Sequence, residues 1–342
     1  MTAAVSSIYD AHIDRRTTGA IRRLFIIACL TLSSAGIRAA GLERPIDDTR
    51  TAELQVVETS IPAETAAELH RYLLGREANV DMFRARGPFA VTTQQDRELR
   101  LTSSRRIKTD VFLSAPAAKA PLVLFLHGHD SSKRAHANQA AHLASWGMHC
   151  LTVQLPNNGP WDSNGRTLAA LVRLIHRTPG AIDNRIDTSK IILVGHSFGA
   201  FAVAVALAEG APAAGAILLD PATVGKDARN VLRRIQKPVM VLGADDEDIA
   251  PRNRDYFYEF IRSDVAEVSI RDAVHEDAQY PSEFALQNSG VDPHTTEELQ
   301  ITFVSALTAA AISISATGAV EYAWTSFRRV LQAGEFFNAK KK

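Results

Sequence analysis

The sequence predicts an α/β fold in which a mostly parallel sheet is covered by helices on both faces. From Pro121 to about residue 275, short apolar runs alternate with helical stretches, as in successive strand–helix units. The run Ile191-Ile192-Leu193-Val194 contains no polar residue, which is typical of a strand that is buried on both faces. The 342 residues are enough to build one large core.

The alternation predicts six strands and five helices. The strands are 122–127, 149–154, 190–194, 216–220, 238–242 and 266–270; the helices lie near 134–146, 165–177, 199–209, 226–236 and 251–262. An antiparallel hairpin, 98–104 with 108–115, precedes them. The interval between residues 220 and 238 has room for a single helix, so we expect no lid domain.

The first forty residues differ from the rest of the chain. Two arginine pairs precede the apolar run Leu24–Leu32, and small residues follow as far as Ala40. This order predicts a secretory signal over residues 1–40, and hence an exported, periplasmic or secreted protein; an ordinary amphipathic N-terminal helix is the alternative. Residues 41–95 are interpreted as an N-terminal arm, and residues 96–342 as the main domain with its C-terminal helices.

The stretch Ile301–Val320 contains no charged residue, which also invites a transmembrane interpretation. Seven of its residues are serine, threonine or glycine, so a buried helix with a break near Gly318 is the preferred prediction, without stable membrane insertion. The net charge is zero, and it gives no electrostatic reason to expect nucleic acid as a partner.

A nucleophile motif follows the apolar run at Ile191. Gly195-His196-Ser197-Phe198-Gly199 separates this predicted strand from the alanine-rich helix that begins near Ala200. In a nucleophile elbow of this kind, a tight strand-to-helix turn lifts the serine hydroxyl above the edge of the sheet. The pentapeptide can arise by chance, but its flanking elements are the ones the motif requires. Ser197 is therefore the predicted nucleophile.

Two further strand ends carry groups that would serve such a serine. The turn His127-Gly128-His129-Asp130 follows the first parallel strand, and the backbone N–H groups of His129 and Phe198 are the predicted oxyanion donors. His275 is the candidate base because, of eleven histidines, it is the one directly after the final strand. An acidic segment, Gly243–Pro251, follows the strand 238–242 and is expected to supply a carboxylate; Asp220 is the alternative.

The order of oxyanion turn, Gly-His-Ser-Phe-Gly, acidic loop and late histidine resembles the α/β-hydrolase family. The stretch 238–251 is similar to the acid loop of bacterial cutinases and polyester hydrolases. His275-Glu276-Asp277 and Pro281-Ser282 resemble chlorophyllase-type and dienelactone-hydrolase-like members. The resemblance implies an α/β-hydrolase fold and a serine esterase that works through an acyl-enzyme, with no metal or organic cofactor.

The resemblance leaves two candidates for the triad acid. Counting back from Ile249-Ala250-Pro251, as in the cutinase-like loop, selects Glu247, whereas counting forward from Gly243 selects Asp246. Trp161, in the predicted loop Pro156–Asp162, is a candidate substrate-binding wall beside Phe198. The expected partner is a small-molecule or lipid-like ester, and the sequence gives no oligomeric state. A serine peptidase or thioesterase on the same fold, or an inactive hydrolase used as a binding module, remain alternatives.

Overall fold

A computed structural model of the chain describes residues 65–74, 78–115, 119–223, 227–246, 253–280 and 296–342. All of these belong to one compact unit, Thr59–Lys342. The predicted export signal, residues 1–40, and residues 41–64 of the predicted arm lie outside the described part of the chain.

The described residues form one nine-stranded sheet in the order β1-β2-β4-β3-β5-β6-β7-β8-β9. Six neighbouring strands, β4, β3, β5, β6, β7 and β8, run parallel to one another. Strands β1, β2 and β9 run antiparallel to their neighbours. The strands are β1 Val91–Arg100, β2 Arg106–Ser114, β3 Ala120–Leu126, β4 His149–Val153, β5 Ile186–His196, β6 Gly215–Leu219, β7 Val239–Gly243, β8 Val265–Ile270 and β9 Phe336–Lys341. The mostly parallel sheet predicted from the sequence is confirmed.

Nine α-helices are present in the described ranges. They are α1 Thr65–Leu74, α2 Ala137–Ser145, α3 Trp161–Arg177, α4 Phe198–Ala208, α5 Ala228–Arg233, α6 Asn253–Phe260, α7 Glu297–Thr317, α8 Glu321–Ser326 and α9 Arg328–Ala333. Short 3₁₀ turns lie at Val80–Arg84, Lys133–His136, Pro179–Ala181 and His275–Ala278. Between β6 and β7 the described residues contain only the six-residue α5.

The helices cover both faces of the sheet, and each face has its own apolar core. Successive residues of a strand point to opposite faces, so Val123 and Phe125 of β3 join one core while Leu122 and Leu124 join the other. The first core contains side chains of α1, α2 and α7. The second contains side chains of α3, α4 and α6. This two-sided burial explains why the central strands read as unbroken apolar runs.

Helices α3 and α4 approach each other closely at Gly165. A Cβ atom at this position would lie 2.5 Å from the Cβ of Val205 and 2.6 Å from the carbonyl oxygen of Ala202. Any larger residue would therefore force the two helices apart. Gly165 sets their separation near the carboxyl edge of the sheet, because Trp161 and Phe198 are the first residues of the two helices.

Helix α7 is long and apolar enough to cross a membrane by length and composition. In the folded chain, however, 83% of its most apolar window is buried, and α7 contacts β5, β6 and β7. It ends at Gly318, whose φ of 68° lies in the left-handed region that glycine adopts without strain. The predicted buried helix with a break near Gly318 is confirmed.

Several boundaries differ from the predictions. Strand β1 begins at Val91, inside the segment interpreted as an arm, and α3 begins at Trp161, which was expected in a loop. The last strand, β9, was missed. It pairs antiparallel with β8 at the sheet edge and contains Asn338, Lys340 and Lys341, so its apolar signal is weak. An edge strand pairs on one side only, and polar residues are common there.

Candidate active site

Ser197 occupies the tight turn between β5 and α4. Its φ and ψ are 55° and −128°, a strained conformation for a residue other than glycine, and its side chain is almost buried. The flanking glycines allow this turn. A Cβ atom on Gly195 would lie 2.5 Å from the carbonyl oxygen of Gly199, and one on Gly199 would lie 2.3 Å from that of His127. The geometry is that of a nucleophile elbow.

The turn that follows β3 packs directly against the serine. A Cβ atom on Gly128 would lie 2.8 Å from the Cβ of Ser197, so no other residue fits here without displacement. The ring of His127 holds the turn: Nδ1 lies 2.8 Å from the carbonyl oxygen of Gly128, and Nε2 lies 3.1 Å from that of Leu155. The backbone N–H of His129 has no hydrogen-bond acceptor among the described residues.

A buried ion pair anchors the chain just beyond this turn. Lys133 Nζ lies 2.5 Å from Asp110 Oδ1, and both side chains are about 5% exposed or less. The same nitrogen lies 2.9 Å from Oδ1 of Asp96, which is more exposed. Asp110 belongs to β2, and Lys133 opens the 3₁₀ turn after the oxyanion turn. The pair therefore ties the segment that carries His129 to the sheet.

His275 lies in the 3₁₀ turn after β8 and is buried against Asp220. Its Nδ1 is 2.5 Å from Asp220 Oδ2. Burial by itself lowers the pKa of His275, but the hydrogen bond and charge of Asp220, together with the charges of Glu276 and Asp246, outweigh it. The net effect raises the pKa above its ordinary value. Because Nδ1 faces a carboxylate, it carries the proton, and Nε2 is left as the basic nitrogen.

Asp220 is itself held in place by two polar groups. Oδ1 accepts a hydrogen bond of 2.9 Å from the backbone N–H of Ala244 and lies 3.9 Å from Nη1 of Arg254. The same guanidinium donates to the carbonyl oxygen of Ala244. Both charged side chains are buried, so each compensates the desolvation of the other.

This geometry corrects the prediction that the acidic loop supplies the carboxylate for His275. Asp246 affects His275 through its charge, whereas the hydrogen bond to the ring comes from Asp220. The loop after β7 is used differently: the backbone N–H groups of Asp245 and Asp246 both donate to the carbonyl oxygen of Ala273. Glu247, the other predicted acid, lies outside the described residues.

Asp220 was named in the sequence as the alternative, and a positional signal supports it. It directly follows β6, the neighbour of β5, and the backbone N–H of Ser197 donates to the carbonyl oxygen of Leu219. The side chain after β6 therefore starts beside Ser197. The loop after β7 starts one strand further away.

His275 also contacts His196, the residue that precedes Ser197. The Nε2 of His196 lies 3.1 Å from the backbone carbonyl oxygen of His275, and the two ring centres are 4.4 Å apart. The strand end that presents Ser197 thus holds the turn that presents His275. The structure brings together Ser197, His275, Asp220 and the turn of His129, although these residues are spread over about 150 positions of the sequence.

A cavity of about 690 Å³ opens next to this cluster. Phe198 and Trp161 form one wall, with ring centres 5.9 Å apart and nearly parallel planes. His129 lies at its edge and contacts the ring of Phe198. Phe201, Val205, Ala228 and Val231 extend this apolar wall. The rest of the lining is more polar and consists of Asn158, Gly159, Pro160, Asp162, Arg166, Glu209, Asp227 and Arg234. The predicted pocket residues Trp161 and Phe198 therefore do share one surface.

Comparison with known protein families agrees with this architecture. The model of the alpha/beta hydrolase family matches residues 123–328, more than half of the chain. The match runs from β3, ahead of the oxyanion turn, into the C-terminal helices. The chain belongs to the alpha/beta hydrolase family. No curated protein that was compared with the chain matches it. The family supports a hydrolase activity in general, and the substrate must be argued from the site.

Proposed function

We propose that the protein is an exported serine esterase that cleaves carboxylic esters with the triad Ser197, His275 and Asp220. The observation that carries this proposal is the contact of 2.5 Å between His275 and Asp220 in a turn held by the residue next to Ser197. A histidine fixed in this tautomer serves as a general base for a serine hydroxyl. The strained turn at Ser197 supports the role of nucleophile.

Acylation is the first half of the proposed reaction. The Nε2 of His275 accepts the hydroxyl proton of Ser197 while Oγ attacks the ester carbonyl carbon. Asp220 stabilises the imidazolium that forms. The tetrahedral intermediate then collapses, His275 protonates the leaving alcohol oxygen, and an acyl group remains on Ser197. Water repeats the same steps in reverse and releases the carboxylic acid.

The backbone N–H groups of His129 and Phe198 are the proposed oxyanion donors. Phe198 is the first residue of α4, and the first N–H groups of a helix have no acceptor within it. The positive end of the helix dipole lies at the same place. The close packing of Gly128 on Ser197 supports the second donor, because it brings the following residue to the same side of the serine.

The apolar wall of Trp161 and Phe198 supports an ester with a hydrocarbon or aromatic portion. The cavity beside this wall lies in contact with His129, so a substrate could place its carbonyl near the oxyanion donors and its apolar group against the two rings. We propose a small-molecule or lipid-like ester on these grounds. Thioesters and peptides share the acyl-enzyme chemistry, and a substrate panel distinguishes them.

The decisive experiment compares Ser197→Ala with wild type on a short-chain p-nitrophenyl ester, a thioester and a peptide anilide. Ser197→Ala should lower ester turnover by about 10⁴-fold or more, since it removes the nucleophile. Ser189→Ala, at an exposed position on the same strand, is the matched control and should retain full activity. Equal melting temperatures for the three proteins exclude misfolding. Ester turnover that persists in folded Ser197→Ala would refute the proposal.

Export is a separate part of the proposal and depends on the sequence of residues 1–40. We expect the mature protein to begin between about Ala35 and Gly41 and to be found outside the cytoplasm. Mass spectrometry of the protein from its native host measures the N-terminus. A soluble cytoplasmic protein that retains Met1 would contradict export without affecting the proposed chemistry.

A further inference from the structure

Two buried imidazoles, His136 and His196, lie behind the proposed triad, and the mechanism above does not use their side chains. Both rings are 2% exposed or less, and their centres are 6.0 Å apart. His196 precedes the nucleophile, while His136 lies in the 3₁₀ turn beyond the oxyanion turn and stacks on Phe125. Burial lowers the pKa of His196 well below its ordinary value and that of His136 to about 4, so both rings are neutral near pH 7.

The partners of the two rings determine where their protons lie. His196 Nε2 faces the carbonyl oxygen of His275, which can only accept, so this nitrogen carries the hydrogen. His136 Nδ1 lies 2.6 Å from Oε1 of Gln139, whose amide nitrogen donates to the carbonyl oxygen of Ala278. The oxygen of Gln139 is therefore the acceptor, and Nδ1 of His136 carries the hydrogen.

Each ring is left with one bare acceptor nitrogen. These are Nδ1 of His196 and Nε2 of His136, and neither has a hydrogen-bond partner among the described residues. A buried polar atom without a partner is costly, and ordered internal water is the usual way to satisfy it. If one water donates a hydrogen bond of ordinary length to each nitrogen, the two nitrogens lie roughly 4.5–6 Å apart. Rings with centres 6.0 Å apart can provide this separation.

The same two side chains hold both ends of the turn that carries His275. His196 donates to the carbonyl oxygen of His275 at its start, and His136 orients Gln139, which donates to the carbonyl oxygen of Ala278 at its end. Two backbone hydrogen bonds further connect the segment of His136 to the end of this turn. The N–H of Tyr280 donates to the carbonyl oxygen of Ala135, and the N–H of Asn138 donates to that of Tyr280.

We propose that His136 and His196 share one internal water molecule and act as a pair of positioning residues for the base His275. The water donates one hydrogen to each bare nitrogen and links the two anchors of the His275 turn into one unit. The positioning role rests on the proposed function of His275, whereas the water site does not depend on catalysis.

A crystal structure of the full chain tests the water site directly. We expect an ordered water within about 3.2 Å of both His196 Nδ1 and His136 Nε2. Well-ordered rings with no water between them, or rings rotated so that these nitrogens bond elsewhere, would overturn the site. This result is independent of whether any ester is hydrolysed, so it separates the inference from the proposed function.

Kinetics of two His196 variants test the positioning role. In His196→Gln the side-chain amide can reach the place of Nε2 and keep the donor to the carbonyl oxygen of His275; in His196→Asn the shorter amide cannot. We expect His196→Asn to lower kcat by about tenfold with little change in KM, and His196→Gln to stay within about threefold of wild type. The labelling rate of Ser197 by a fluorophosphonate should fall in parallel, because it also needs the base.

A merely structural role predicts a different pattern. It would lower the melting temperature of both variants while the folded fraction kept its wild-type kcat, and that outcome would overturn the positioning role. His136→Asn retains a donor to Gln139 and removes the second acceptor of the water. We expect the water to be lost and kcat to fall by about threefold; an unchanged kcat with the water gone would show that the water does not help to position His275.

Discussion

Strands β6 and β7 lie side by side, and both lead into aspartates at the carboxyl edge of the sheet. Only the aspartate after β6 bonds to the ring of His275, the proposed base. Asp220 after β6 is buried and bonds to the ring of His275. Asp245 and Asp246 after β7 are partly exposed, and their backbone N–H groups hold the loop at Ala273. The end of β6 contacts the side chain of His275, and the loop after β7 holds the backbone just before it.

The two ends differ in how their negative charge is compensated. Asp220 accepts a hydrogen bond from the backbone N–H of Ala244 and lies beside the buried guanidinium of Arg254. Asp245 pairs at 3.6 Å with Arg271, which is about half exposed. A buried carboxylate requires such fixed partners, whereas a partly exposed one is stabilised by water. At this edge of the sheet, the aspartate that bonds to a histidine is the one with a buried counter-charge beside it.

The largest expected effect distinguishes Asp220 from the acidic residues of the loop after β7. Asp220→Asn should lower kcat by about 10⁴-fold, because an amide no longer fixes the histidine tautomer. Asp246→Asn and Glu247→Gln should stay within about threefold of wild type near neutral pH, because neither is expected to accept a hydrogen bond from the ring. Steady-state kinetics on the same ester measure all three. A loss in Glu247→Gln as large as that in Asp220→Asn would return the triad acid to the loop after β7.

Removing the arginine beside each aspartate should have a smaller effect than removing Asp220. Arg254→Met leaves a buried carboxylate without its cation and should lower the free energy of unfolding by about 3 kcal/mol. The kcat of the folded protein should fall by about tenfold, since Asp220 loses part of its anchorage. Arg271→Met is the matched control at the other strand end, and it should cost less than about 1 kcal/mol. Denaturant titrations and kinetics measure both; equal losses would remove the distinction between the two ends.

The smallest effect concerns pH. The base must be unprotonated, so kcat/KM should fall as the pH drops through the pKa of His275, which lies above the ordinary value. The charge of Asp246 contributes to this rise, and Asp246→Asn should therefore lower the pKa and move the acidic limb of the profile to lower pH. A pH profile of kcat/KM measures the shift. A limb that moves to higher pH in Asp246→Asn would contradict this electrostatic account.

Local sequence was sufficient for the parts of the site that are local. Ser197 is defined by a glycine-containing turn between a strand and a helix, and all three features are contiguous in the chain. The partner of His275 is a long-range property, since it depends on where the loops after β6 and β7 turn and on Arg254, which lies beyond both. Counting along the acidic loop could not supply this information.

Edge elements were harder to predict than the core. The central strands are covered on both faces, so their apolar runs reveal them directly. Strand β9 pairs on one side and carries lysines, one of which, Lys340, lies 3.6 Å from the buried Glu267 of β8. Such a strand is specified by its neighbour as much as by its own residues. Trp161 was placed in a loop for a related reason, since its helix begins beside a proline that gives no helical periodicity.

The close approach of α3 and α4 at Gly165 influences the shape of the cavity. Gly165 does not line the cavity, yet it sets how near α3 comes to α4. Trp161 lies about one helical turn before it on α3 and faces Phe198 at the start of α4. Added bulk at position 165 would push α3 away from α4 and so change the distance between the rings of Trp161 and Phe198. If the cavity binds the proposed ester, the spacing of these two helices is expected to influence the substrate range as much as the chemistry of the lining does.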